Sequence, residues 1–529
     1  MTITTSATDT TLGTSSSTST GSEVRTSTGR LDTGTATALE AHARSGGSVL
    51  LVAEAGDDVA AALAGASIAL SLPHTEWFVT LAARAEAVRL DGEVPITTPL
   101  VTFDPFDPDV EIAATTSVRF RHEPTIIVRR VGPGRVVTVG MTALGTVDVH
   151  PTLGPYVRRL LRTDFPNADS GAPVADLGVA VVGYGPFGGM GYLHGLAATE
   201  TDGLSLVAAA DNSPDRLDAA TVDFPDLRAH DSATSLAADD AVDIAIVATP
   251  PVFHAELALE LLRAGKHVVV EKPMCLTTAD ADELIRTAQS VGRVVSVHQS
   301  RRWDTDWLAI RRLVDRGDLG SVFNIETFVG GFEHPCRAWH SEDSISGGAV
   351  YDWGSHHIDW IIQHYGTAPK KVLCSAHTRV WHDTTNVDQL SVWMQWADGR
   401  EATFRQSDVC AIRRPKFHIE GTSGTLEGHY EPVRADAVLA GRGFRAHESH
   451  HAERPVDLTL VRYDGDHGLI ESQVRPAPHP GWGFHRNLAD HLLLGEPLAV
   501  RPEQSRDVVS VLEAAHRSGA NGGELVELS

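Results

Sequence analysis

The strongest constraint in the chain is an apolar run that passes directly into glycines. Leu177-Gly178-Val179-Ala180-Val181-Val182 reads as a buried strand, and Gly183-Tyr184-Gly185-Pro186-Phe187-Gly188 follows with no spacer. In a strand–turn–helix, the first glycine permits the tight turn and the second lets backbone approach a pyrophosphate. The third lets the helix pack closely, and the helix N-terminus faces the phosphates. A second strand, 204–210, ends at Asp211, where an acid can accept hydrogen bonds from the adenosine ribose. A glycine turn that binds nothing could carry the same letters. The strand before it and the acid after it together point to a dinucleotide. A carboxylate at Asp211 repels a 2′-phosphate, which favours NAD; Arg216 nearby leaves NADP open.

Beyond this loop, short β-rich runs at 243–248, 267–270 and 294–297 alternate with helical patterns such as 254–264 and 278–291. That alternation implies βαβ units and a parallel sheet covered on both faces. After Gln299 the pattern changes. A helix is expected over 349–365, alternating strands at 389–396, 401–407 and 416–420, and two amphipathic helices at 484–494 and 502–517. Alternation with one polar face suggests an antiparallel sheet.

Two further stretches carry chemistry. Glu271-Lys272-Pro273 follows the strand 267–270, at the carboxyl edge of the sheet, where open α/β sheets bind ligands. The chain has only five lysines, so one at a strand end stands out, although a surface lysine before a turn proline would read the same way. Asp352 and His356 are spaced to share a helical face, so the carboxylate could fix the imidazole's tautomer. The spacing fits equally well an acid serving the helix dipole and a histidine satisfied in the core.

The net charge of -25 disfavours nucleic acid and anionic membrane surfaces as partners. The four cysteines, Cys275, Cys336, Cys374 and Cys410, have neither disulfide nor metal-ligand spacing. No metal is expected, and a cytoplasmic location is the default. A long Arg/His-rich segment, 428–483, with His447, Glu448, His450 and His451, reads as a solvated loop in preference to a metal site.

Gly183-x-Gly185-x-x-Gly188, Glu271-Lys272-Pro273 and Gly347-Gly348 followed by Asp352-x-x-x-His356 together resemble the Gfo/Idh/MocA oxidoreductases. Ala248-Thr249-Pro250-Pro251-x-x-His254 and the segment 419–426 support the likeness, which runs from about Leu177 to the C-terminus. The resemblance implies an α/β protein: a Rossmann-type NAD(P)-binding domain (177–298), then a domain with a large, mostly antiparallel sheet (299–529). It also implies a homo-oligomer formed through that sheet and a sugar, inositol or related polyol as substrate. His356 would be the base, Asp352 would orient it or bind substrate, and Lys272 would hydrogen-bond the reacting oxygen. The cofactor would be held by Gly183, Tyr184, Gly185, Phe187, Gly188, Asp211, Thr249, Pro250, His254, Glu271 and Lys272. The stretch 298–304 is similar to a subgroup that includes scyllo-inositol dehydrogenases, which brings Arg301, Arg302, Trp303 and His357 to the substrate side. Many members carry a histidine three residues after the third glycine, where this chain has Gly191. A non-catalytic NAD-binding regulator and an NAD-dependent glycosidase are the alternative functions on this fold.

The N-terminal third differs in texture. Residues 1–45 open on Ser, Thr and Gly and are expected to form a disordered tail. A small α/β domain is expected over 46–163, with a strand at 48–53, a hairpin of 126–130 and 135–141, and a closing helix from Tyr156; a polar linker follows at 164–176. His74 to Val79, Phe103 to Glu111 and Gly134 to Gly140 resemble the trehalose-utilisation (ThuA-like) family, which implies a truncated flavodoxin-like domain. With no cysteine before Cys275, a Cys-nucleophile amidotransferase is excluded there. A binding, docking or regulatory role and a purely structural one both remain open.

Overall fold

The computed structural model describes residues 24–28, 30–54, 56–72, 77–81, 93–96, 100–116, 123–141, 153–161, 175–185, 189–201, 203–335, 339–432, 453–476 and 481–528. The chain divides into two compact units at 175/176.

The first unit contains β1 (Val24–Thr28), β2 (Ser48–Val52), β3 (Ala66–Leu72), β4 (Trp77–Leu81), β5 (Glu93–Ile96), β6 (Leu100–Pro105), β7 (Val110–Thr116), β8 (Pro124–Val131) and β9 (Gly134–Val139). Seven strands form one sheet in the order β1-β2-β9-β8-β7-β4-β5, and β3 pairs with β6. Successive residues feed opposite faces: Leu50, Ile126 and Val137 pack under the helix Leu153–Leu160, while Val49, Leu51, Ile127 and Val136 pack with Leu39 and Ala43. The expected hairpin is present, with Val131 paired to Gly134.

Two expectations for this unit need correction. The stretch 1–45 is not all tail: β1 pairs in parallel with β2, and a helix spans Thr33–Arg44. Asp32 caps that helix through Thr35 N, and Leu39 and Ala43 give it an apolar stripe. The sheet is also not the all-parallel one of a flavodoxin-like domain, because only β1, β2 and β9 run parallel and β8, β7, β4 and β5 continue antiparallel.

The second unit opens with a six-stranded, fully parallel sheet of β10 (Leu177–Val182), β11 (Leu204–Ala210), β12 (Arg228–His230), β13 (Ile244–Val247), β14 (His267–Val270) and β15 (Val295–Val297). Their order is β12-β11-β10-β13-β14-β15. Strand order reverses between β10 and β13, and the crevice at such a switch point receives ligand in open α/β sheets.

The remainder folds on a nine-stranded sheet of β16 (Val322–Gly330), β17 (Lys371–His377), β18 (Gln389–Gln395), β19 (Glu401–Ser407), β20 (Phe417–Gly421), β21 (Gly424–Pro432), β22 (Glu453–Tyr463), β23 (Leu469–Gln473) and β24 (Val526–Glu527). The order is β23-β22-β21-β20-β16-β19-β18-β17-β24, antiparallel except where β16 meets β19. Leu390, Val392 and Met394 of β18 and Ala402 and Phe404 of β19 bury one face, in a core shared with Ile358, Ile361, Val511 and Leu512 of the helices Gly354–Tyr365 and Pro502–Ala520. Each such side chain contributes about 1.5–3 kcal/mol of burial. β22 and β23 lie inside 428–483, so that segment is partly sheet and not one loop; His447, Glu448, His450 and His451 fall outside the described residues. No described helix is long and apolar enough to cross a membrane.

Candidate active site

The carboxyl ends of β10, β13 and β14 deliver Gly183, Thr249 and Lys272 to one cleft, which the segments around Trp339–His340 and Tyr351–Asp352 complete. Gly183 sits at φ +89°, and a Cβ there would press on the Thr249 backbone. Gly185 is different: a Cβ would meet nothing closer than 4.0 Å, so its backbone is open to a ligand. Thr249 Oγ1 is buried without a hydrogen-bond partner and lines the same cleft. Asp211 closes the loop from the side. Its Oδ2 accepts from Gly185 N at 3.1 Å and its Oδ1 from Ser213 N at 2.9 Å, while Arg216 lies 3.6 Å away. An approachable glycine backbone, an orphaned hydroxyl and an acid at the second strand end fit a dinucleotide.

Across the cleft, Lys272 Nζ donates to Asp352 Oδ1 at 2.5 Å. Burial alone would push the Asp352 carboxyl up; the Lys272 ammonium, then His340, hold it below its usual value instead. Tyr351 Oη donates to Leu276 O at 2.7 Å, tying the turn that bears Asp352 to the segment after Lys272-Pro273. His356 lies one turn further on and is buried. Burial, then the charges of Lys272 and Arg301, drive its pKa well below 6.5, so the ring is held neutral, and its Nδ1 is buried without a hydrogen-bond partner.

Residues 177–299 match the oxidoreductase family with an NAD-binding Rossmann fold, and residues 307–427 match the GFO/IDH/MocA C-terminal domain. The uncharacterized oxidoreductase YdgJ of Escherichia coli is 33% identical over 306 residues, covering 58% of this chain and 86% of its own. The chain belongs to the Gfo/Idh/MocA oxidoreductases. Scyllo-inositol 2-dehydrogenase (NADP(+)) IolW of Bacillus subtilis is 28% identical over 301 residues, or 56% of this chain and 82% of IolW. The crystal structure of an NAD-binding protein from Listeria innocua superposes with a TM-score of 0.55 at 25% identity, covering 66% of this chain and 97% of that one. The protein is accordingly an NAD(P)-dependent dehydrogenase or reductase.

Within this Gfo/Idh/MocA fold, several residues expected at the site serve it indirectly. Tyr184 lines the cleft, and its hydroxyl is held by Asp223, to which Oη donates at 2.6 Å. The ring nitrogens of His254 lie 2.7 Å from both Pro273 O and Thr249 O, which pins two strand ends together without reaching the cleft. Pro250 turns the chain into the single 3-10 turn Pro251–Phe253. Glu271 is buried at the edge of the cleft, which it helps to line, and accepts from Lys272 N at 3.1 Å. Phe187 and Gly188 lie outside the described residues.

The substrate-side set is corrected more sharply. Arg301 stays near the chemistry, stacked 4.7 Å over the Trp353 ring and close enough for its charge to act on His356 and Asp352. Arg302 is spent inside the protein: it grips Asp359 at 2.7 and 2.6 Å and donates to Ala499 O at 2.6 Å. Trp303 packs on Gly483 and Phe484. His357 is fully buried between Trp360 and Phe404. The expected Asp352–His356 bond is absent among the described contacts. The helix 349–365 breaks at Trp353 into Ala349–Asp352 and Gly354–Tyr365, and Asp352 turns to Lys272.

Two residues escaped the sequence reading. His340 lines the cleft beside Lys272 and Asp352 but sits in a short turn with no periodicity to mark it. His194 is the second. The helix after the glycine loop starts at Met190, and a Cβ on Gly191 would collide with the Tyr184 backbone, so Gly191 performs the close packing assigned to Gly188. His194 lies three residues after Gly191, and its Nε2 reaches Glu271 at 2.9 Å. Counting from Gly191 would have found it.

Proposed function

We propose that this dehydrogenase moves hydride between nicotinamide and a secondary hydroxyl, or the matching ketone, of a sugar, inositol or related polyol. The observation that carries the reading is the Lys272–Asp352 pair, facing the open Gly185 backbone across one cleft; His356 does not line that cleft and is buried one helical turn beyond Asp352, where the Lys272 charge acts on it. A bound nicotinamide supplies the hydride acceptor. Lys272 is then placed to donate a hydrogen bond to the reacting oxygen, which favours the alkoxide-like charge that develops as hydride leaves. His356 receives the hydroxyl proton; a positioned base of this kind contributes ~10²–10⁴-fold in rate. Asp352 holds the ammonium in place and stays ionised beside it.

The likeness to IolW supports a polyol or inositol substrate. Asp211, whose carboxylate is fixed at the second strand end by Gly185 N and Ser213 N, supports NAD over NADP, while Arg216 beside it supplies a feature that a 2′-phosphate would use. The N-terminal unit carries none of the proposed catalytic groups, and a binding, docking or regulatory role stands beside a purely structural one for it. A homo-oligomer would use the large C-terminal sheet. The test is a panel of inositols, sugars and other polyols with NAD and with NADP, followed by nicotinamide absorbance in both directions. Turnover confined to polyols with an oxidisable ring hydroxyl supports the reading. NAD binding without turnover across the panel overturns it, and release of a chromogenic aglycone would make the protein a glycosidase.

A further inference from the structure

Behind the glycine loop, three histidines from distant parts of the sequence meet. His194 comes from the helix Met190–Glu200, His298 from the residue after β15, and His485 from the first turn of the helix Gly483–Leu494. All three are buried, and one ring nitrogen of each lies within 4.8 Å of the other two. His194 Nδ1 faces His485 Nε2 at 3.0 Å. Glu271 Oε1 lies 2.9 Å from His194 Nε2 and 2.7 Å from His298 Nδ1.

The carboxylate decides the tautomers. A carboxylate at Glu271 only accepts, so the ring nitrogens that face it, His194 Nε2 and His298 Nδ1, are the donors. A cation would bind through the other two nitrogens, His194 Nδ1 and His298 Nε2. A carboxylate fixing the far nitrogen of an imidazole is how metal-binding histidines are oriented. The 3.0 Å between His194 Nδ1 and His485 Nε2 is close to the roughly 3.3 Å separating two nitrogens on a tetrahedral zinc. A divalent ion would also offset the negative charge that Glu271 buries between His194 and His298.

We propose that His194, His298 and His485 bind a borderline divalent metal ion of the zinc class, with Glu271 as the supporting carboxylate. The site is structural: it ties the helix after the glycine loop, the strand end that bears Glu271-Lys272 and the helix Gly483–Leu494 into one block. Nitrogen ligands select Zn²⁺, Co²⁺ or Ni²⁺ over Mg²⁺ and Ca²⁺.

The full chain, stripped with chelator and dialysed, is titrated with Zn²⁺ by calorimetry and with Co²⁺ by visible ligand-field absorption. The expected result is one equivalent per chain at submicromolar Kd, with His298→Phe and His485→Phe each weakening it by about 100-fold or more. The triple variant His447→Ala/His450→Ala/His451→Ala should leave that equivalent in place. No stoichiometric binding means the four side chains form a hydrogen-bonded cluster only, and the proposal fails. Loss of binding in the 447–451 variant, with retention in His485→Phe, equally overturns it. Should a phenylalanine variant not fold by circular dichroism, the wild-type Co²⁺ spectrum decides, since three imidazoles and a water around Co²⁺ absorb far more strongly than the six-coordinate hydrated ion.

Discussion

Lys272 Nζ and Asp352 Oδ1 stand 2.5 Å apart although 80 residues separate them in the chain. The contact joins a strand end of the parallel sheet to the first helical turn after Gly348, so the proposed catalytic groups are assembled by the meeting of two domains. Lys272→Met keeps much of the stem and removes the ammonium; Asp352→Asn keeps the shape and removes the charge. Each is expected to lower kcat by ~10²-fold or more with NAD affinity within a few-fold. Because both act on one ammonium, the double variant should lose less than the product of the two single losses. Multiplicative losses in steady-state kinetics would show that the pair does not act as a unit.

His356 sets a pH expectation whose sign follows from its environment. Its folded pKa lies well below 6.5 because the ring is buried and faces Lys272 and Arg301. The ring therefore stays neutral as pH falls through the ordinary histidine range, and kcat for alcohol oxidation should hold from pH 7 to 6 and decline only below that. The unfolded chain protonates this residue near 6.5, so the same shift contributes stability that is present above 6.5 and lost as pH falls below it. His357, also depressed well below 6.5, adds to the effect. Turnover that halves by pH 6.5 would point to a different base. His356→Ala should lose ~10²-fold or more in kcat.

Five of the six strands of the parallel sheet were legible in the sequence; the edge strand β12, three residues long and largely exposed, was missed. β10, β11 and β14 fall where the apolar runs place them, because strands buried on both faces have no other reading. β16 was missed. Its burial does not alternate cleanly, with Val322 and Ile325 inside and Phe323 exposed, so no period-2 signal marks it. The site was legible as a set of residue types but not as a set of bonds. Spacing put Asp352 beside His356, yet the chain breaks its helix at Trp353 and sends Asp352 to Lys272. The convergence of His194, His298 and His485 leaves no local signal at all, since it exists only in the folded chain.

Arg302 provides a contrast with Arg301. Its guanidinium is buried and bonded at 2.7 and 2.6 Å to Asp359, itself buried. Arg302→Ala should cost about 3–5 kcal/mol of stability, because it leaves Asp359 buried without its partner. Arg301→Ala should lower stability too, because Arg301 pairs with buried Asp304 at 3.1 Å, but should in addition change kcat or KM. Thermal unfolding and kinetics on the two variants separate the roles, and a catalytic defect in a fully stable Arg302→Ala would contradict this assignment.

Asp211 has two tasks in one carboxylate, and they predict different losses. It holds Gly185 N and, when cofactor is bound, can accept from the ribose hydroxyls while repelling a 2′-phosphate. Asp211→Ser should therefore weaken NAD, by the loss of charge-assisted bonds, and improve NADP, with Arg216 released from its 3.6 Å contact. The ratio of kcat/KM for the two cofactors is the readout. Wild-type protein that turns over NADP as well as NAD would show that Asp211 does not exclude the phosphate.

The N-terminal unit supplies the last test. Residues up to Ala175 form their own compact unit, with apolar cores on both faces of their sheet. The cleft lined by Gly183, Thr249, Lys272 and Asp352 lies wholly in the second unit. A chain beginning near Ala172 should therefore fold, bind NAD and keep kcat within a few-fold, because no group assigned to hydride or proton transfer has been removed. The informative outcome is a truncated protein that folds, binds NAD and yet turns over nothing. Retained binding would clear the glycine loop and Asp211, and the loss would then have to arise in substrate access or in an assembly that the first unit maintains. Sedimentation of both chains separates these two: a changed oligomer assigns the first unit to assembly, and an unchanged one makes the loss independent of assembly.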